Sequence, residues 1–474
     1  MLYKNQPLTQ TARGVPKLLK FIFPRRLQNF LSLDQADAHF TELLRGGSGA
    51  FLIRTLGIAI GYIFTLLITR NYGPEAMGVF ALSQTVLMIV SMAARLGLDT
   101  ASLRFMAEYS AHDQWGRVKD VYLKSLKLLL PTSLGFALLF YYLSPFMADY
   151  LFSKPNMAPA FKIMSLSLVP FVFLCFHSEN LRALRKIAAY AFFTKVSIPL
   201  VAAAILVVMI YHSNNIIMPV IAYAIGTLIL SILCLGKWLS FFKISQVEVE
   251  TSLSYKDMLS VSLSMLLASS MLYLMQWTNI FILGIFGTEA EVGIFNVALK
   301  LSFFTSITLF AINSIAAPKF AMLYSTGDLK GLGRLAQQSN RIIFWTSLPI
   351  LLSFLIFPAL ILGFFGPEFR TGSFSLMILT LGLFLNAISG SVAFILIMTG
   401  RQKIFQNIMI CSVVFNIILN LYLIPRFGIN GAAFAYVAAL AFVNLSSVYY
   451  IKKELQIFTI YLPFFPGERG EDKS

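Results

Sequence analysis

Apolar residues fill long stretches of this chain, and polar residues gather in the short intervals between them. A membrane helix needs about 20 mostly apolar residues. Twelve stretches qualify, at roughly 50–70, 78–99, 121–143, 158–180, 188–211, 216–237, 258–285, 291–317, 342–365, 373–399, 404–424 and 430–451. They are called helices 1 to 12 below. The pattern predicts an all-α polytopic membrane protein.

The pattern also repeats. Tyr72-Gly73-Pro74-Glu75-Ala76, followed by Gly78-Val79-Phe80, returns about 214 residues later as Phe286-Gly287-Thr288-Glu289-Ala290, followed by Gly293-Ile294-Phe295. Each copy lies in a turn between the first two spans of its half. A second pair, Phe105 to Ser110 and Phe320 to Ser325, falls in the basic loops after helices 2 and 8. Six spans per half make both halves enter the membrane in the same direction. They form two parallel-repeat six-helix lobes related by an axis along the membrane normal, with a central cavity at the seam. The expected organisation is an N-terminal tail (1–46), an N-lobe (47–240), a linker (241–257), a C-lobe (258–452) and a C-terminal tail (453–474).

Composition narrows the class. Of 474 residues, 58% are hydrophobic and 12% charged, about half the charged share of a soluble domain. The formal charge of +16 would suggest nucleic acid in a soluble protein. Its distribution gives a different reason and argues against nucleic acid as a partner. Of the 37 Lys and Arg, 28 fall on the face shared by both termini and five on the other. By the positive-inside rule both termini are cytoplasmic. The apolar patch Leu18 to Pro24 is too short for the core of a signal peptide. Flanked by Lys17, Lys20, Arg25 and Arg26, it reads as an interfacial helix on membrane lipids or as part of a basic tail.

Enzyme chemistry finds little support. The chain has no GxxxxGK[ST], HExxH or CxxC motif, so no nucleotide, metal or other cofactor is expected. Cys175, Cys234 and Cys411 all lie in apolar runs. The informative residues are polar ones inside the spans. A charge at the bilayer centre costs about 2.5–3.5 kcal/mol, which favours a wet cavity around it. Lys300 is the deepest, about nine residues into helix 8 and roughly 14 Å from its start. Asn296 lies one turn away on the same face.

Lys195 is shallower, in helix 5. Arg54 opens helix 1 near Gly57 and Gly61, whose spacing suits close approach of another helix. Arg95 and Asp99, four apart at the end of helix 2, are either a self-neutralising pair or part of a site. Gln276 and Asn279 in helix 7 offer hydrogen bonds to a ligand or to another helix. Cations outnumber carboxylates in this set, so the cavity should favour an anion. Helix 1 carries no carboxylate, which argues against a cation-coupled exporter that binds its ion there.

The run Gly49 to Gly78 is similar to the opening of Wzx-type polysaccharide flippases of the multidrug/oligosaccharidyl-lipid/polysaccharide (MOP) superfamily. Arg70, Tyr72, Gly73, Pro74 and Gly78 match that family's first turn. Leu423 to Ala439 resembles its helix 11–12 turn. The resemblance spans about residues 48–452 and implies a MATE-like fold working by alternating access. It implies a polyprenyl-pyrophosphate-linked oligosaccharide as substrate, carried from the cytoplasmic to the outer leaflet of the cell membrane for surface polysaccharide synthesis. Polysaccharide assembly proteins are the implied partners. The rival readings are a multidrug exporter of the same superfamily, a membrane-bound polymerase or glycosyltransferase, and a non-transporting scaffold. The longest predicted outer loop, about 15 residues, leaves little room for an outer catalytic domain.

Overall fold

The computed structural model describes residues 38–241, 248–251 and 253–461. The basic patch at 18–24 and most of the C-terminal tail lie outside them. Every regular element among the described residues is helical. Among the described residues, nine helical stretches are long and apolar enough to cross a membrane. Two of them, 55–95 and 402–455, hold two spans each, and the helix Tyr255–Phe286 supplies another. Divided in this way, the described residues are consistent with the twelve spans of the apolar pattern.

The reversals inside the two long stretches are visible in their contacts. Phe64 and Phe80 would lie about 24 Å apart on one straight helix, yet their ring centroids are 5.4 Å apart. The chain folds back at Gly73, with φ 78° and ψ −174°. That left-handed backbone favours glycine, and Pro74 starts the next helix where no N–H is needed. Gly428 does the same for the second pair, with φ 53°. There Ser412 donates to the Ala439 carbonyl at 2.9 Å.

The spans are helix 1 (38–72), helix 2 (74–95), helix 3 (115–151), helix 4 (Ala158–Ala183), helix 5 (187–210) and helix 6 (Met218–Phe241) in the N-lobe. The C-lobe holds helix 7 (Tyr255–Phe286), helix 8 (289–325), helix 9 (Leu329–Ile356), helix 10 (373–398), helix 11 (402–427) and helix 12 (429–455). Helix 2 ends four residues before the predicted boundary. Leu96 and Gly97 both take positive φ there, and a separate helix, Leu98–Ala111, follows. The Phe105 and Phe320 motifs are therefore helical rather than loop, and they end the helices at 111 and 325.

The two repeated turns pack against each other. A Cβ on Gly78 would overlap the Glu289 carbonyl, and one on Gly293 would overlap the Pro74 carbonyl. Each turn is the counterface of the other, and only hydrogen fits at both positions. Around this contact the lobes are tied on their charge-poor face. Lys154 of the N-lobe is buried and donates to the Gly284 carbonyl at the end of helix 7, 2.5 Å away. Burial holds its ammonium below the ordinary lysine range, while Glu289 and Glu291 act in the opposite direction. Arg70 Nε donates to the Phe364 carbonyl at 2.6 Å, and Phe152 meets Phe281 edge to face at 5.3 Å. Past Ser302, the basic-side half of helix 8 (Ile307–Ser325) packs mainly on helices 9 and 10 of its own lobe. The seam is shut on the charge-poor face, and helices 1 and 8 part toward the basic one.

The basic end of the C-lobe is filled by the chain itself. Residues 456–461 leave helix 12 and run against helix 9. Asn340 donates to the Thr459 carbonyl, Tyr461 packs on Phe344, and Ile457 joins Phe320, Leu332 and Leu396 in a buried cluster. The predicted C-terminal tail thus begins inside the lobe.

One added methyl group tests the packing. Gly78→Ala and Gly293→Ala each lower the melting temperature in detergent, because the opposing backbone must move. Gly61→Ala meets nothing within 4 Å. It leaves the melting temperature unchanged or raises it, since Ala exceeds Gly in helix propensity by about 1 kcal/mol. Equal melting temperatures for all three variants would remove the close approach as a source of stability.

Candidate functional site

Lys300 sits where helix 8 is interrupted. The helix opens with a capping box, in which Thr288 and Glu291 satisfy each other's backbone N–H groups. It runs to Ser302, tightens into a 3-10 turn at Phe303–Ser306, and resumes as α-helix. Such a change of pitch alters which N–H each carbonyl accepts, and the Lys300 carbonyl accepts from the Phe303 N–H. Tyr62 of helix 1 donates its hydroxyl to the Lys300 carbonyl at 2.5 Å. Ser347 of helix 9 donates to the Thr305 carbonyl at 2.7 Å. The Tyr62 ring stacks on Phe304, centroids 4.8 Å apart.

The Lys300 side chain crosses the seam and donates from Nζ to Thr65 Oγ1 at 3.2 Å. Among the described residues it forms no ion pair. An ammonium at this depth with only a neutral hydroxyl beside it is a charge seeking an anion. Tyr62 and Thr65, three apart on helix 1, are functional neighbours that sequence reading missed. Their one signal is a polar pair on a face of an apolar helix. Asn296, one turn before Lys300, is buried, and its Oδ1 has no hydrogen-bond partner.

Lys195 reaches helix 1 from the other side. It lies in a π-helical turn, Phe192–Val196, inside helix 5, and its residue is exposed. A Cβ on Gly57 would come within 2.8 Å of the Lys195 carbonyl carbon, so Gly57 lets helix 5 approach. Gly61 faces open space, and the Gly57–Gly61 spacing acts through its first member only. Gly57 and Thr65 are about 12 Å apart along helix 1, so Lys195 and Lys300 meet helix 1 at two levels. Arg54 lies on the same helix, less than a turn before Gly57. Its side chain lies outside the described residues.

Arg95 and Asp99 form an ion pair at 2.6 Å. They are not on one helix as the spacing suggested. Arg95 ends helix 2, and Asp99 starts the Leu98–Ala111 helix beyond the Leu96–Gly97 break. Asp99 Oδ1 also accepts from the Thr100 N–H at 2.9 Å. Arg182 and Glu179 pair at 3.3 Å. These four residues line a cavity of about 240 Å³ with Gly97, Tyr190, Leu266 and Tyr273. Two cations and two carboxylates cancel there. Lys195 and Lys300 are not among the residues that line it.

The helix 7 amides divide. Gln276 is exposed. Asn279 is fully buried and turned into the C-lobe, where its Oδ1 accepts from Asn420 at 2.9 Å and Asn416 at 3.3 Å. It joins helices 7 and 11 rather than facing the cavity. His177 is likewise held inside the N-lobe, 3.1 Å from the Tyr122 hydroxyl and 2.8 Å from the Phe173 carbonyl.

A double-mutant cycle on the Arg95–Asp99 pair reads its role. Arg95→Met alone strands a buried carboxylate and destabilises the protein more than Arg95→Met with Asp99→Asn. A coupling energy of about 1–3 kcal/mol is expected from unfolding in mixed micelles. Strictly additive single effects would show that the two charges do not support each other.

Comparison with known proteins places this geometry. Residues 43–324, more than half of the chain, match the family model described as polysaccharide biosynthesis protein. A stretch of 186 residues is 27% identical to "Probable low-salt glycan biosynthesis flippase Agl15" of Haloferax volcanii, covering 39% of each chain. An inward-facing multidrug resistance MATE family transporter of the MOP superfamily superposes with a TM-score of 0.69 at 16% identity, over 86% of this chain and 98% of that one. The lipid II flippase MurJ in an inward closed conformation gives 0.68 at 13% identity, over 86% and 87%. At these identities the solved structures share the fold. Two six-helix lobes with glycine turns interlocked at one face thus make up a multi-pass membrane protein that belongs to the polysaccharide biosynthesis protein family.

Proposed function

We propose that the protein moves a polyprenyl-pyrophosphate-linked oligosaccharide from the cytoplasmic to the outer leaflet of the cell membrane by alternating access, without altering it chemically. Lys300 carries this reading. It is the deepest cation, it crosses between the lobes, and among the described residues it has no carboxylate beside it. A pyrophosphate entering from the basic side meets Lys195 first and Lys300 last, while the polyprenyl chain stays in lipid. Ammonium–phosphate hydrogen bonds supply the attraction. Both termini are cytoplasmic in this reading, so the open basic face is the side of loading. The interlocked turns, Lys154 and Arg70 close the outer side. Lobe rocking breaks those contacts and re-exposes the headgroup. The bound headgroup biases the motion by binding the two states unequally.

A cation-coupled multidrug exporter with the same fold would need an acidic site on helix 1, and 55–72 holds none. The measurement is translocation of a fluorescent isoprenyl-diphosphate oligosaccharide in proteoliposomes, paired with complementation of a flippase-null strain. Lys300→Ala abolishes both at unchanged protein level. It weakens headgroup binding about ten- to one-hundred-fold, as expected for losing a hydrogen bond to a charged group worth about 1.5–3 kcal/mol. Full activity of Lys300→Ala would remove Lys300 from the path.

A further inference from the structure

The cavity beside Arg95 has a chemistry unlike that of a phosphate site. We propose that it reads one sugar ring of the glycan. The Tyr273–Trp277 stack would support the apolar face of a pyranose, and the Arg95–Asp99 and Glu179–Arg182 pairs would bind its hydroxyls. The assignment rests on the flippase reading and deepens it.

Charge is the first argument. The lining carries two guanidinium groups and two carboxylates, joined in pairs at 2.6 and 3.3 Å. An anion entering here would compete with Asp99 and Glu179 for partners already held. A sugar hydroxyl is both donor and acceptor. It can donate to a carboxylate and accept from a guanidinium while each pair stays intact. A wall of alternating donors and acceptors with no net charge suits a neutral polyol.

Shape is the second. At about 240 Å³ the cavity lies just below the range of about 300–1,000 Å³ that encloses drug-sized ligands. It has room for a single ring rather than an oligosaccharide. One side is aromatic. Tyr273 is 50% exposed, and its ring lies 5.2 Å from that of Trp277 at an interplanar angle of 16°. Trp277, one turn on, fixes the orientation of the Tyr273 ring. A pyranose presents a face of C–H groups, which buries apolar area on an aromatic ring and places positive hydrogens against its negative π-face.

Position is the third. Tyr190 lines the cavity from helix 5, five residues before Lys195. On helix 5 Lys195 lies about 7 Å of rise beyond Tyr190, so the cavity wall and Lys195 are near neighbours. A ring held here places its attached diphosphate toward the lysines along helix 1. The walls also come from both lobes. Leu266 and Tyr273 belong to helix 7, and the other lining residues to the N-lobe. A Cβ on Gly97 would overlap the Ser262 carbonyl, so the lobes touch at the cavity's edge. Rocking would pull the aromatic floor from the polar wall. The sugar would then contribute to the state-dependent affinity that drives the cycle.

The test uses the full chain in nanodiscs and binding of farnesyl diphosphate, bare or carrying glucose, galactose, mannose or N-acetylglucosamine. At least one glycosylated probe should bind ten-fold or more tighter than the bare lipid. Tyr273→Ala should erase that margin while leaving the bare lipid within two-fold. Tyr273→Phe should keep it, because the ring and not the hydroxyl forms the floor. Lys300→Ala should weaken all probes alike. A Tyr273→Ala variant that keeps the margin, or an unaltered chain that shows none, overturns the sugar subsite and leaves the flippase reading standing. Failure of the unaltered chain to bind any of these diphosphates overturns both.

Discussion

The fold depends on one close approach, the backbone of each repeated turn lying against the other where Gly78 and Gly293 have no side chain. Helix packing in a membrane has no hydrophobic drive between helices, because lipid is as apolar as leucine. Small residues that let backbones touch therefore set which helices meet. Here they set the meeting point of the two lobes, and the arrangement is reciprocal because the turns are copies. Everything nearer the basic face follows as a lever follows its pivot. Helices 1 and 8 are held together above Lys300 and separate below it.

That geometry sorts the charges. Cations at the basic end can find carboxylates within a few residues, and Arg95 and Arg182 do so. Lys300 pairs with no acid among the described residues, and its side chain meets the Thr65 hydroxyl. The 3-10 turn beside it adds a second polar demand, met by Tyr62 from the opposite lobe. The Lys300 region is thus held by bonds that cross the seam. Any motion of one lobe against the other would change its surroundings more than those of Asn279, whose amide bonds stay within one lobe.

Much of this was legible in the sequence. Apolar run length points to twelve spans, the repeated glycine turns to two lobes, and the even number of spans in each to their parallel relation. Lys300 was visible because a charge in an apolar run costs energy that must be explained. Other features were hidden for physical reasons. Leu98 continues the apolar run past Gly97, so the break that separates Arg95 from Asp99 leaves no mark on hydropathy. The sequence leaves Asn279 between a ligand contact and a bond to another helix, because its partners, Asn416 and Asn420, are 137 and 141 residues away. Tyr62 and Thr65 are ordinary in a membrane helix and gain meaning only when Lys300 arrives from the other lobe. Arg54 was equally visible in the sequence, but its side chain lies outside the described residues.

The segment at 456–461 makes the lobes mechanically unequal. It occupies the space at the basic end of the C-lobe, whereas the cavity of about 240 Å³ at that end is walled mostly by the N-lobe. A close-packed body has low compressibility and transmits force, and one with free volume yields. The 456–461 segment therefore adds close packing to the basic end of the C-lobe. Under the proposed alternating access, the C-lobe would turn with that segment as a single piece.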